Sequence, residues 1–309
     1  MKRKMLNVPK GGYDGMKGFT IVEFLVAGLL SIIVLIAVVS SYFTSRKLND
    51  AANERLAEQQ DLRNAATLIV RDARMAGSFG CFNMSEHIKD VVVSDVPQKN
   101  YLFSLKKSNA NKLIPIAESL NINYQNFFQV SSALIFQYGI DDVNASDATT
   151  VVSSCAAISK PGKQIPTLED AKKELKIVSQ DKEQGNIARQ RHVVNAYAVG
   201  KIAGEGGLFR FQLDDKGKWG NPQLLVKKVK RMKVRYIYVS GCPEDEDVGK
   251  EEQFKYTDKF DGSVTPAGVE VLLDSGSDAK IAASSDNIIY AYRINATIRG
   301  GNVCANRTL

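Results

Sequence analysis

The sequence contains few of the side chains that most often carry out chemistry. Its 309 residues include two histidines, His87 and His192, and four cysteines, with no Cys-x-x-Cys pair and no histidine beside a cysteine. A zinc site is therefore not expected. The motifs Gly-x-Ser-x-Gly and His-Glu-x-x-His are also absent. We predict a protein that is not an enzyme and that needs neither a cofactor nor a metal ion.

Strong positive charge is also missing once the N-terminus is set aside. The formal net charge is +7, but residues 1–18 hold five basic side chains opposed only by Asp14, so they contribute four of these charges. The remaining chain carries a net charge near +3. So weakly basic a chain needs no nucleic-acid partner to explain its composition, and direct binding of DNA is not the favoured interpretation.

Charge is almost absent between Phe19 and Phe43. These 25 residues contain one charged side chain, that of Glu23. At about 1.5 Å per residue, a helix of this length crosses the apolar core of a bilayer. A basic cluster precedes the run, which places the N-terminus in the cytoplasm and predicts that the rest of the chain is exported.

An Ala-x-Ala-like cleavage site is missing after the apolar run, so an ordinary secretory signal is not indicated. A plain, uncleaved signal anchor is the simplest alternative. It does not explain Glu23, because an ionised carboxylate inside an apolar span is costly without a partner. The sequence therefore predicts that Glu23 meets a cation or holds a proton.

A resemblance to a known family begins at Gly18-Phe19-Thr20-Ile21-Val22-Glu23. Together with the apolar run, this segment resembles the class III signal of type IV prepilins. The resemblance implies that a prepilin peptidase cuts between Gly18 and Phe19 and methylates the new amino group of Phe19. It also implies that Glu23 pairs with the N-terminal ammonium of a neighbouring subunit, which would offset the desolvation of both charges. Met16 is an alternative start that leaves the mature chain unchanged.

An amphipathic pattern follows Phe43 and predicts that the same helix continues to about Met75. Apolar residues recur at three- and four-residue steps or their sums: Leu48, Ala52, Leu56, Leu62, Ala66, Ile69 and Ala73. Gly77 and Gly80 are expected to end the helix.

The predicted helix end resembles that of PilW-type minor pilins, which are low-abundance subunits of type IV pilus assembly. The matching residues run from Ile69 to Gly77 and on to Gly80-Cys81. A second segment is similar to a strand, basic-turn and strand pattern of the same family, at residues 208–210, 224–226 and 229–236.

Four widely spaced cysteines lie downstream of the export segment: Cys81, Cys155, Cys242 and Cys304. An even number of exported cysteines predicts two disulfide bonds, for which three connectivities are open. We favour Cys81 with Cys155 and Cys242 with Cys304, since the second pair would join a strand end at Val239 to the C-terminal strand.

Beyond Gly80 the sequence is typical of β-structure. Runs rich in β-branched and aromatic residues predict strands at 133–138, 193–199, 207–213, 230–239 and 288–298. Residues 214–219 predict a hairpin turn. Thr167 and Asp170 predict the capping box of a short helix that continues to Val178.

The expected fold is α+β and like that of type IV pilins, with an antiparallel sheet packed against the second half of a long N-terminal helix. The expected parts are a cleaved leader at 1–18, a membrane-spanning helix at 19–43, the amphipathic half of the helix at 44–76 and a globular domain at 77–309.

Three further motifs have simple explanations. We interpret the basic residues at 227–235 as a solvated strand face rather than a DNA contact. The glycine-rich stretch 200–207 lacks the Gly-Lys-Ser/Thr ending of a phosphate-binding loop. The acidic residues between 244 and 252 lack the spacing of a calcium loop.

The resemblance implies a minor type IV pilin that takes part in priming and assembly of pili, with downstream roles in motility, adhesion and DNA uptake. Expected partners are the prepilin peptidase, the inner-membrane assembly platform, and other minor pilins and the major pilin through the N-terminal helix. We expect a single-pass inner-membrane precursor with a periplasmic C-terminal domain and a mature form at the pilus or cell surface. Two alternatives stay open: a pseudopilin of a type II secretion system, and a membrane-tethered adhesin or DNA receptor outside the filament.

Overall fold

The computed structural model describes several separate stretches of the chain. The chain divides into two compact units, Met1–Ala57 and Glu58–Leu309. The described residues are 18–86, 92–93, 113–142, 144–159, 161–162, 165–177, 186–240, 253–262, 264–274 and 292–298. Met16, His87, Cys242, Cys304 and the acidic residues between 244 and 252 lie outside them.

Two α-helices and fifteen strands cover most of the described residues. The helices are α1 (Ile21–Met75) and α2 (Leu168–Glu174), and a short 3-10 helix covers Met84–Glu86. The strands are β1 (Ser78–Phe79), β2 (Phe82–Asn83), β3 (Val92–Val93), β4 (Ile116–Ser119), β5 (Phe127–Gln129), β6 (Ala133–Ile140), β7 (Thr150–Ser153), β8 (Ile158–Ser159), β9 (Ala188–Ile202), β10 (Glu205–Leu213), β11 (Trp219–Lys227), β12 (Arg231–Ser240), β13 (Gln253–Thr257), β14 (Gly268–Asp274) and β15 (Tyr292–Thr297).

The first unit consists, in its described part, of the N-terminal portion of α1. All side chains from residue 18 to 57 are exposed. Leu48 and Leu56, which the amphipathic pattern places on an apolar face, are among the exposed residues. The predicted apolar face is therefore buried only further along the helix, inside the second unit.

The last turns of α1 form part of the core of the second unit. Leu62, Ala65, Ile69 and Ala73 are buried there, together with Ala76 just beyond the helix. The helix ends at Met75, as predicted, and Gly77 follows with a φ of +79° that favours glycine.

Two sheets contribute to this core. The larger has nine strands, β3 to β11, and the 15-residue β9 pairs with β5, β6, β7 and β10. The smaller has the order β13-β12-β14-β15. The expected α+β fold with antiparallel strands packed against the long helix is confirmed in these coarse terms. Within the described residues the strands form two main sheets and a small β1-β2 hairpin, and β3 pairs with β8 in parallel.

The smaller sheet contains one strand with a buried apolar face and a polar face, and another strand that is buried on both faces. In β12, Met232, Val234 and Tyr236 are buried in the core, whereas Lys233 and Arg235 lie on the other face, because successive side chains of a strand point to opposite sides. Residues 268–273 in β14 are buried on both faces of the strand. This strand is outside the predicted set.

Two local predictions are confirmed. Thr167 caps α2, with its Oγ1 accepting a hydrogen bond from the Asp170 amide at 3.1 Å. The hairpin between β10 and β11 turns at residues 214–218, where Asp214 Oδ1 accepts bonds from the amides of Lys216 and Lys218.

Candidate functional site

The start of α1 brings together the residues that the sequence singles out. Gly18 and Phe19 precede the helix, and Phe19 is 87% exposed. Among the residues that the structure describes, no atom lies within 4 Å of a Cβ built on Gly18.

Glu23 has partners within its own chain. Its Oε2 accepts a bond from the Thr20 amide at 3.0 Å and another from the Thr20 hydroxyl at 3.0 Å, while the Glu23 amide donates to Thr20 Oγ1 at 3.3 Å. These contacts form a capping box, which satisfies amide groups that the first turn of a helix leaves unpaired. The signal was present in the sequence as Thr20-x-x-Glu23 and was missed.

The helix surface after this cap is apolar on every side. Large apolar side chains from Ile21 to Phe43 are exposed around the whole circumference. Among the described residues, α1 is the one helix long and apolar enough to cross a membrane, with a mean hydropathy of 2.9 over its most apolar 18 residues. A helix that is apolar all round requires an apolar environment.

A buried carboxylate joins the other end of α1 to the larger sheet. The side chain of Asp72 is 0% exposed, and its oxygens accept bonds from the hydroxyl of Tyr138 at 2.9 Å, the hydroxyl of Tyr197 at 2.6 Å and Nδ2 of Asn195 at 2.8 Å. Arg71 Nη2 lies 3.1 Å from one oxygen and Arg210 Nη2 lies 3.4 Å from the other.

The electrostatics of this cluster keep its tyrosines as donors. Burial, reinforced by the negative charge of Asp72, raises the pKa of Tyr138 to about 12 and also raises the pKa of Tyr197. Both hydroxyls therefore remain protonated and donate to the carboxylate. The cluster fixes the helix to β6, β9 and β10, and nothing in it indicates a reacting group.

A disulfide bond follows directly after the helix. Cys81 and Cys155 are joined, with their Cα atoms 4.7 Å apart. Nearby, the Ser153 hydroxyl donates to the backbone oxygen of Phe79 at 2.7 Å. The bond is consistent with the favoured pairing, and it connects the turn between β1 and β2 to the segment between β7 and β8.

The basic residues at 227–235 separate into two groups. Lys233 Nζ lies 2.8 Å from Asp258 Oδ2, and Arg235 Nη1 lies 3.1 Å from Glu270 Oε2. These two cations are therefore neutralised on the outer face of the smaller sheet. Lys227, Lys228, Lys230 and Arg231 are exposed and precede them in the chain.

A histidine is also buried in the larger sheet. Burial lowers the pKa of His192 to about 3, so its ring is neutral, and its Nε2 lies 3.1 Å from Gln137 Oε1. In the described part of the chain, no three His, Cys, Asp or Glu side chains lie close enough to hold a metal ion.

Comparison with known proteins adds no relative. No protein-family model matches the chain, and neither the curated proteins nor the solved structures contain a significant match. The fold and the site define a class in coarse terms: an α+β protein with a long, capped N-terminal helix that can span a membrane once and with a disulfide bond at the exit of that helix.

Proposed function

We propose that this chain is a minor type IV pilin, made as a prepilin, cut between Gly18 and Phe19, and assembled through α1 into a complex that primes a pilus near its tip. The observation that carries the proposal is the division of a single 55-residue helix into two surfaces. Its first half exposes apolar side chains on all sides, and its last turns are built into the core of an α+β domain.

In this proposal, the apolar half of α1 lies first in one apolar environment and then in another. Before assembly, lipid covers the side chains from Phe19 to Phe43. During assembly, the helices of neighbouring pilins replace the lipid, so packing between helices rather than a gain of hydrophobic burial drives the step. A minor pilin that starts a filament contributes the first such helix surface to later subunits.

The cap at Glu23 is compatible with processing at Gly18. Both members of the capping box, Thr20 and Glu23, belong to the mature chain, and none of their three hydrogen bonds uses Gly18. Cleavage would leave the cap intact and create an ammonium group on Phe19, close in sequence to the carboxylate. Glu23 is exposed at the helix surface, so the ammonium of another subunit can also reach it.

The assignment as a minor pilin is supported by the helix exit. The residues from Ile69 to Cys81 resemble PilW-type minor pilins, and in the structure they hold the buried Asp72 and the disulfide to Cys155. These contacts fix the helix within its domain, which a subunit needs if the helix is to carry the domain into a filament.

The decisive experiment separates the two roles that Glu23 can have. Glutamine serves at this position of a capping box as glutamate does, but it carries no charge. If Glu23 pairs with an ammonium group, we expect Glu23→Gln to reduce piliation and co-purification with other pilins as severely as Glu23→Ala does. Both should be measured in the host, in a strain that lacks the native copy.

Asp50→Ala is the matched control, because it removes one exposed carboxylate from the same helix outside the apolar run. We expect it to leave piliation unchanged. Normal piliation with Glu23→Gln but not with Glu23→Ala would show that Glu23 caps the helix and does not need its charge. Normal piliation with both variants would favour a membrane-tethered protein that never enters a filament.

A further inference from the structure

Two sequence stretches with no assigned role meet at one concave surface. The glycine-rich stretch supplies Gly200, Lys201 and Gly206, and the connection between β11 and β12 supplies Lys228, Val229 and Lys230. With Val130 and Val199 they line a cavity of about 600 Å³, which we call the lysine pocket.

The glycines shape this pocket. A Cβ on Gly200 would collide with the ring of Phe127 and the backbone oxygen of Phe128, so only glycine allows β5 to lie this close to β9. Gly206 lies opposite Lys201 in the register of β9 and β10, and its oxygen accepts a bond from the Lys228 amide at 3.0 Å. The connection to β12 is thereby held beside Lys201.

The pocket combines an apolar floor with a cationic rim. Val199 and Val229 are buried, and Val130 is 56% exposed and borders the opening. Phe128, 72% exposed, is the register partner of Lys201, so the two side chains share one face of the sheet. Lys201 and Lys230 form no ion pair with any residue that the structure describes.

We propose that the lysine pocket binds an acidic segment of a partner protein, with one apolar side chain of that segment seated on the valines and its carboxylates bound by the lysines. Charge complementarity selects an anion, and the apolar floor selects a ligand that has a hydrophobic group beside its negative charges. An acidic peptide has both. The proposal is independent of pilus assembly.

The arrangement favours a peptide over a nucleic acid. Lysines converge on one concavity from two separate segments instead of following a track that could match successive phosphates. Lys233 and Arg235, which would extend such a track along β12, are neutralised by Asp258 and Glu270. A phosphate backbone would also leave the valine floor unfilled.

Binding can be measured by fluorescence anisotropy with the full chain in a non-ionic detergent. The probes are labelled peptides Glu-Glu-Leu-Glu-Glu and Glu-Glu-Gly-Glu-Glu, a short oligothymidylate, and inorganic phosphate as a competitor. Seating a leucine side chain is worth about 1.5 kcal/mol or more, so we expect the leucine peptide to bind at least about tenfold more tightly than the glycine peptide.

Variants locate the site. Lys201→Gln with Lys230→Gln should weaken binding of the leucine peptide by about tenfold or more and flatten its salt dependence. Val130→Ser should weaken the leucine peptide and leave the glycine peptide unchanged. Lys173→Gln with Lys255→Gln removes the same charge from other exposed positions and should change neither affinity.

Three results would overturn the proposal: equal affinity for the two peptides, retained binding in the Lys201→Gln and Lys230→Gln double variant, or tighter binding of oligothymidylate than of the leucine peptide. Displacement of the peptide by millimolar phosphate alone would also overturn the proposal, because the pocket would then be a simple anion site.

Discussion

Asp72 shows most clearly how one side chain connects the helix to the domain. It lies on the buried face of α1 among alanines and Ile69, where a charge is costly unless it is fully paired. Two tyrosines, an asparagine and two arginines supply that pairing from the helix itself and from β6, β9 and β10. The price of a buried charge is thus offset by contacts that fix the helix in one position.

Replacing Asp72 by asparagine should destabilise the domain strongly. The change keeps the shape but leaves Arg210, whose side chain is 12% exposed, without a buried counter-charge. Removing one partner of a buried ion pair typically costs about 3–5 kcal/mol of unfolding free energy. Denaturant unfolding of the full chain in detergent, followed by tryptophan fluorescence from Trp219, measures the loss.

The matched control is Asp142→Asn. Asp142 pairs with Arg191 at 3.3 Å, but both side chains are partly exposed, so the expected cost is below about 1 kcal/mol. A loss at Asp72 no larger than the loss at Asp142 would show that the buried cluster does not stabilise the helix in its place.

The sequence pattern indicated the structural role of some single residues and not of others. Glu23 was evident because a charge interrupts an apolar run. Thr20 was missed because the same apolar run hid an ordinary capping signal. Asp72 was missed because helical periodicity selects apolar positions for the buried face, and only the partners in β6, β9 and β10 explain why a carboxylate stands there.

Among the secondary-structure elements, the features that depend on local sequence signals were predicted best. The end of α1, the cap of α2 and the turn between β10 and β11 all depend on neighbours within a few residues, and all are confirmed. β14 has no alternation, because it is buried on both faces, and its short apolar run alone does not identify a strand. The division into two sheets depends on long-range pairing that no local pattern shows.

The disulfide bond between Cys81 and Cys155 joins two connections between strands, and its cysteines are 74 residues apart in the sequence. Replacing both cysteines by serine should lower the unfolding free energy by about 4 kcal/mol, mainly because the unfolded chain gains freedom. Denaturant unfolding of the full chain against the wild type measures the effect.

Peptide mapping without reduction gives an independent check on this bond. The wild-type protein should yield one cross-linked pair of peptides that contains Cys81 and Cys155. A peptide that links Cys81 to Cys242 or to Cys304 would contradict the arrangement described here, as would a double variant as stable as the wild type.

For the chain as a whole, composition and the N-terminal run predicted the broad result. A helix that is long and apolar enough to span a membrane and an α+β domain follow from the 25-residue apolar run and from the β-rich remainder. The lysine pocket could not be predicted, since it forms only where β5, β9, β10 and the connection to β12 come together. Pilus assembly is an inference from the N-terminal motif and the exposed apolar helix, so its best test lies at that N-terminus.

Mass spectrometry of the N-terminal peptide from protein purified from its native host is that test. If the chain is a processed pilin, the mature protein begins with N-methylated Phe19, because the cut between Gly18 and Phe19 exposes the amino group that pairs with Glu23. A purified protein that still carries residues 1–18, in cells whose prepilin peptidase is active on other substrates, would contradict the account.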